Sequence, residues 1–328
     1  MTESKKSRWL KLTLSIGISV GVMALLFTQI DLDEVLEMLR HTSLPWVFNG
    51  MAFFLLYQIL KTFRFRALIA SREHQTLTLF GLQCFHSFLN AVLPSKLGEV
   101  AFVYLLKRGY QIPIAQGTSV LIAARVLDLA LFALLFILLA LLGWPRYGIP
   151  YMQFVALGIV GLTVVVLMFY VAMIRFGDEA RILRWFDKPK RGRRFWDFLG
   201  RNVALLFQAF RDIKGRQYVS SAAYSTIMWA ALYATAYSSA HAVGFDLSLD
   251  ENLFVFLGSF PFDFLPIKGI WDFGTHEGEW TIGLLLLGYP QQDAFLLAVG
   301  SHVIYLLNTF VILPIPTLLW WRRWWRQG

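Results

Sequence analysis

Cysteine is nearly missing from this chain of 328 residues. Cys84 stands alone, so no intrachain disulfide, redox pair or multi-cysteine zinc site can form. Charge is scarce as well: Asp, Glu, Lys and Arg make up 16% of the residues, where an ordinary soluble domain carries about 25%. The usual signatures of phosphate-loop and serine-elbow chemistry are missing. His276-Glu277 has Trp280 where a zinc-protease helix would need its second histidine, so no metal and no cofactor are expected. What the chain has in excess is apolar surface, 57% of its residues with a mean hydropathy of +0.56. One water-soluble core cannot hide that surplus, and the sequence reads as an integral membrane protein.

The net charge of +9 then reads as orientation signal, with no nucleic-acid partner implied. Four cations (Lys5, Lys6, Arg8, Lys11) precede a first apolar run from Trp9 to Gln29, too long for a cleaved secretory signal. Asp31 to His41 predicts a short surface helix. Leu44 to about Phe65 returns to the cytoplasm, its exit marked by Lys61, Arg64, Arg66 and Arg72. Further crossings are expected over Ile114 to Leu142, Tyr151 to Ile174, Tyr218 to Val243 and Ala294 to Trp321. Trp320, Trp321, Trp324 and Trp325 read as an interfacial anchor. Between the fourth and fifth crossings, residues 175–217 form a basic loop. In it Trp196, Leu199, Val203, Leu206 and Phe210 recur at helical spacing. That amphipathic helix either lies along the membrane surface or packs against neighbouring cytoplasmic segments, and the basic run is expected near anionic lipid heads.

Two further apolar blocks break at prolines: Thr76 to Leu93 is long enough to cross but stops at Pro94 and is followed by a half-length arm, and Leu253 to Phe264 is short. The first hairpin, residues 76–108, turns at Pro94-Ser95-Lys96-Leu97-Gly98-Glu99; the second, 251–288, turns between Pro266 and Glu277. Only Arg40 and Arg146 then fall outside, with Arg125 and Lys268 at membrane depth. The expected architecture is a single all-α polytopic domain over 1–328: six full transmembrane helices plus two oppositely oriented re-entrant helical hairpins. Leu93-Pro94, Lys96, Glu99 and Gly109-Tyr110 run parallel to Leu265-Pro266, Lys268, Glu277 and Gly288-Tyr289, which makes the pair an inverted repeat of the transporter type. Both termini are placed in the cytoplasm, and the cell (inner) membrane is the expected location.

The charges at membrane depth are the candidate site: Lys96, Glu99, Arg125, Asp128, Lys268, Asp272, His276, Glu277 and His302. At about 2.5–3.5 kcal/mol for a central Arg, Lys or Asp, such groups persist only if they pair, hydrate or bind something. Arg125 and Asp128, three apart on one helix face, can pair with each other or serve a ligand. Lys96 and Lys268 either snorkel to the surface or, with the N–H groups of a half-helix, bind an anion. Glu99 and Glu277 either cap their half-helices or take up protons or a cationic head group. His302 is either a hydrogen-bonded interior histidine or a working one. His86 and His241 read as structural.

The stretch Leu89-Asn90-Ala91-Val92-Leu93-Pro94-Ser95-Lys96-Leu97-Gly98-Glu99, with Thr118-Ser119-Val120-Leu121 and Arg125-Val126-Leu127-Asp128-Leu129, resembles the lysylphosphatidylglycerol synthase transmembrane family. The tip from Pro266 to Glu277 is similar to that family's second motif. Three positions depart from the family pattern: Phe102 and His302 stand where members often carry Arg, and Ile270 to Phe273 are inserted before Gly274. The resemblance implies a flippase-like protein that moves an amphiphile with an anionic head group, a phospholipid or a polyprenyl-phosphate carrier. Because the chain stops at Gly328, aminoacyl transfer is not expected. Two alternatives are an intramembrane lipid-modifying enzyme and a scaffold of a lipid or glycan pathway. Membrane lipid is the expected partner, and a homo-oligomer is compatible with the sequence.

Overall fold

The computed structural model describes residues 32–69, 76–93, 97–142, 157–158, 160–161, 163–168, 170–171, 175, 193–260, 262 and 270–327. The first expected crossing, the proline turns at 94–96 and 263–269, half of the expected crossing Tyr151 to Ile174, and the basic run within 176–192 lie outside them. Among the described residues the protein is all-helical, without a strand. The helices are α1 (Leu32–Arg40), α2 (Leu44–Ile69), α3 (Thr76–Val92), α4 (Leu97–Tyr110), α5 (Ile114–Leu142), α6 (Arg193–Asp212), α7 (Gly215–Ala242), α8 (Leu249–Ser259), α9 (Thr275–Leu286), α10 (Gln291–Ile312) and α11 (Pro314–Gln327), with a tight turn at Ile270–Asp272 before α9.

Among the described residues two stretches are long and apolar enough to cross a membrane unaided, Ile114–Leu138 in α5 and Gln291–Arg322 through α10 and α11. The pair α1 and α2 passes the same test only when taken together, and it is bent by 84° at the break between them. α7 has the length, at 28 residues, but is rich in Ser and Thr. Its hydroxyls fold back on the helix: Thr226, Thr235, Ser238 and Ser239 donate to the carbonyls of Ala222, Ala231, Ala234 and Thr235. Self-satisfaction of this kind is what lets polar side chains sit on a helix in an apolar environment.

The chain divides into two compact units. The first draws on Met1–Gln58, Phe80–Ala101 and Trp229–Gly328, the second on Ile59–Leu79 and Phe102–Met228. In the first, α3 and α4 double back closely. A Cβ on Gly98 would lie 2.7 Å from the backbone nitrogen of Asn90, an overlap that no rotamer relieves. Gly98→Ala is therefore expected to cost about 3 kcal/mol or more, read as a fall in melting temperature of the detergent-purified protein. α8 and α9 meet where Gly283 faces Val255, and α9 ends in a Schellman turn. There Gly288, at φ 88°, and Tyr289 donate to the carbonyls of Leu285 and Leu284. That turn folds α10 back along α9.

In this unit Trp320 is a core residue and not an interfacial anchor. It is buried, stacks on Phe85 at 5.6 Å and packs on Gly81. Trp321 beside it is exposed. In the second unit the amphipathic helix α6 packs along α5. Ala204 and Phe210 are buried, and Tyr170 meets the Phe210 ring edge-on at 5.3 Å.

Candidate functional site

A break and three left-handed residues precede α9. Trp271, Asp272 and Gly274 have φ of 61°, 59° and 81°. Only the glycine holds that conformation without strain; for Trp271 and Asp272 it is stored strain of the kind that marks working sites. The turn leads into α9 and lets Glu277, at the third helical position, fold back over the helix N-terminus. Glu277 Oε2 accepts the N–H of Gly274 at 2.7 Å, so the carboxylate caps its own helix. Gly274 has no side chain to complete a reciprocal box.

The other oxygen, Oε1, meets His302 Nδ1 at 2.6 Å. His302 reaches it from α10, and its Nε2 faces the carbonyl of Trp271 at 3.0 Å. Glu277 and His302 are 3% and 1% exposed. A backbone carbonyl only accepts, so the imidazole carries its proton on Nε2. A second proton must then lie between Nδ1 and Oε1. It belongs to an imidazolium beside a carboxylate or to a carboxylic acid beside a neutral imidazole, and in either form the pair is neutral overall.

A second, more open pair adjoins the first. The His276 ring lies 4.6 Å from that of His302. Its Nε2 is 3.4 Å from Ser301 Oγ and its Nδ1 3.9 Å from Glu279 Oε1. Trp280 and Tyr305 stack on His276, Phe273 meets His302 edge-on, and Trp271 stacks on the partly exposed Phe310 at 4.6 Å. Asp272 is buried, and its carbonyl accepts the Thr275 hydroxyl. Among the described residues no group of three ligating side chains could hold a metal ion.

Of the sequence-predicted residues, the structure thus gathers Asp272, His276, Glu277 and His302 within the first unit. Glu99 is half-buried in the first turn of α4. Lys96 and Lys268 lie outside the described residues. Arg125 is half-buried on α5, in the second unit. Asp128, three residues on, is bonded at 2.5 Å to Arg64 of α2, a partner 64 residues away, and both side chains are at most 5% exposed. Arg64 was expected among the cytoplasmic exit charges. It and Lys61 are instead buried, because α2 runs on to Ile69 and carries them inside the helix rather than past its end.

Sequence reasoning missed Glu279, Ser301 and Tyr305; Glu279, three residues from His276, and Tyr305, three from His302, share those helix faces, whereas Ser301, next to His302, is brought to His276 only by the packing of α10 on α9. It also set His86 aside. That side chain is buried in α3 between Gln83 at 3.2 Å and Asn90 at 2.9 Å, beside a Ser87–Gln58 hydrogen bond. The polar stripe of α3 is hidden from a periodicity scan because its members alternate with Cys84, Phe85, Phe88 and Leu89.

The family model described as the lysylphosphatidylglycerol synthase TM region matches residues 12–312. No curated protein and no solved structure matches the chain.

Proposed function

Because the chain belongs to the lysylphosphatidylglycerol synthase TM-region family, we propose that it moves an amphiphile with an anionic head group, a phospholipid or a polyprenyl-phosphate-linked lipid, between membrane leaflets. The observation that carries this reading is the buried Glu277–His302 contact at the N-terminus of α9. Ionisable groups in the interior of a membrane protein mark substrate or ion pathways. A broken helix whose N-terminus ends inside the protein offers N–H groups and a positive dipole end to an anion. The exposed edge of the Trp271–Phe310 stack supplies an apolar flank for the start of an acyl or prenyl chain.

In this reading residues 76–108 and 251–288 are opposed re-entrant hairpins of an inverted repeat. Lys96 and Lys268 at their tips supply ammonium groups, and Glu99 is the first hairpin's counterpart of Glu277. Asp272 and His276 line the second tip. Arg125 is a separate candidate for head-group contact. Asp128, committed to Arg64, holds α2 to α5. The protein sits in the cell membrane with both termini cytoplasmic, and the basic loop 175–217 rests near anionic lipid heads.

The test is transbilayer movement of fluorescent phosphatidylglycerol and phosphatidylcholine in liposomes containing the full chain, followed by quenching from outside. The anionic lipid is expected to cross at least about tenfold faster than in protein-free liposomes, a barrier lowered by about 1.4 kcal/mol. Mass spectrometry should find it chemically unchanged. A modified lipid would instead support an intramembrane enzyme with the same carboxylates as acid and base, and movement no faster than in empty liposomes would defeat the proposal.

A further inference from the structure

The Glu277–His302 pair holds one proton that nothing in the capping of α9 requires. Capping uses Oε2 and the Gly274 N–H; the second oxygen and a 1%-exposed histidine do something else. With its proton the pair is neutral, and the N-terminus of α9 keeps its attraction for an anion. Without it, a full carboxylate occupies the same N-terminus and repels the anion that would bind there. Binding a proton and binding an anionic head group therefore favour each other, and by linkage the effect is reciprocal.

The groups facing the pair fit a route for that proton. From α9 come His276 and Glu279, half-buried and so the members able to exchange with water. From the turn comes the buried Asp272, and from α10 Ser301 and Tyr305. α8, packed on α9, carries the buried Asn252, and its charged residues Asp250 and Glu251 stand in its first turn, where Glu251 accepts from Ser248. Further along α10, Asn308 and Thr309 are 0% and 1% exposed, and among the described residues both atoms of the Asn308 amide and the Thr309 hydroxyl meet no hydrogen-bond partner. Thr309 is two helical turns past His302 on the same face.

We infer that Glu277 and His302 form a proton-binding site that couples lipid movement to a proton gradient, one proton travelling with each singly charged anionic head group. The step balances without a co-reactant. The proton between Nδ1 and Oε1 leaves to water by way of His276 and Glu279, and the pair keeps a carboxylate and a neutral imidazole with its proton on Nε2. The anion departs with the proton, so no net charge crosses the bilayer. This inference rests on the lipid-transport reading above.

The experiment uses the full chain in phosphatidylcholine liposomes with a trace of fluorescent phosphatidylglycerol, a pH-sensitive dye inside, and potassium with valinomycin to set the membrane potential. A gradient of one pH unit is expected to drive the labelled lipid toward the alkaline side to a ratio of about tenfold, with matching proton uptake and no response to the potential. Glu277→Gln replaces the shared proton by a fixed amide N–H donor, and it is expected to abolish both the accumulation and the proton flux while the protein elutes as a folded species. Lipid movement that ignores the pH gradient and brings no proton flux would overturn the inference and leave the transport reading standing. Proton flux through Glu277 without lipid movement would overturn the one-to-one coupling and the transport reading together while keeping the proton site. Absence of both would overturn both.

Discussion

Glu277→Ala is expected to destabilise the purified protein by about 3–5 kcal/mol and to stop lipid movement, whereas Glu277→Gln keeps the fold and loses only transport. The difference follows from what each change leaves behind. Alanine removes two acceptors at once, orphaning the Gly274 N–H and leaving His302 Nδ1 facing an empty site in a region the solvent does not reach. Each unpaired buried polar group costs about 1–3 kcal/mol, more where charge is involved. Glutamine restores both bonds, its Oε1 accepting from Gly274 and its amide donating to Nδ1, but it cannot release a proton. Thermal unfolding in detergent separates the variants: a Gln variant that melts as early as the Ala variant would mean that Glu277 is structural only.

Asp128→Ala carries the other large effect, about 3–5 kcal/mol lost, while Arg64→Met with Asp128→Leu together recovers most of it. Arg64 and Asp128 meet at 2.5 Å with both side chains nearly closed to solvent. Arg64 also lies 5.1 Å from the Phe65 ring, which packs edge-on against Phe102. Removing one charge strands the other in that apolar setting. Removing both exchanges a desolvated pair for apolar groups of comparable reach, a swap that is often neutral or stabilising. A double variant as unstable as Asp128→Ala would show that Arg64 and Asp128 have further partners that matter more than each other.

Much of the helical layout was readable because apolar length and breakers carry it. The 3- and 4-residue spacing of Val203, Leu206 and Phe210 lies within α6, and the excess of apolar residues between Ala294 and Trp321 lies within the α10 and α11 span. Individual site residues were readable for a similar reason, since Glu277 and His302 are ionisable where the surroundings are apolar. Their partnership was not. The sequence offered capping for Glu277 and burial for His302 as alternatives to function, and the carboxylate in fact caps α9 with one oxygen and binds the histidine with the other. Arg64 was out of reach for a different reason. Its helix continues past the point where the apolar run fades, and its partner is brought up by tertiary packing that no local spacing encodes. Trp320 was misread because an aromatic beside arginines looks interfacial, while its burial depends on the missing side chain of Gly81 on a helix far away in sequence.

The central claim is that the Glu277 cluster of the first unit is where the lipid is handled, and quenching of fluorescent phosphatidylglycerol in matched liposomes of three proteins tests it most directly. These are the unaltered chain, Glu277→Gln and His241→Asn, the last in the same unit but engaged with Asp246 at 3.2 Å and the Trp46 ring. The account predicts that the unaltered chain and His241→Asn move the lipid at the same rate and that Glu277→Gln moves it at least about a hundredfold more slowly, a loss of about 2.7 kcal/mol. Equal rates for all three folded proteins would contradict it.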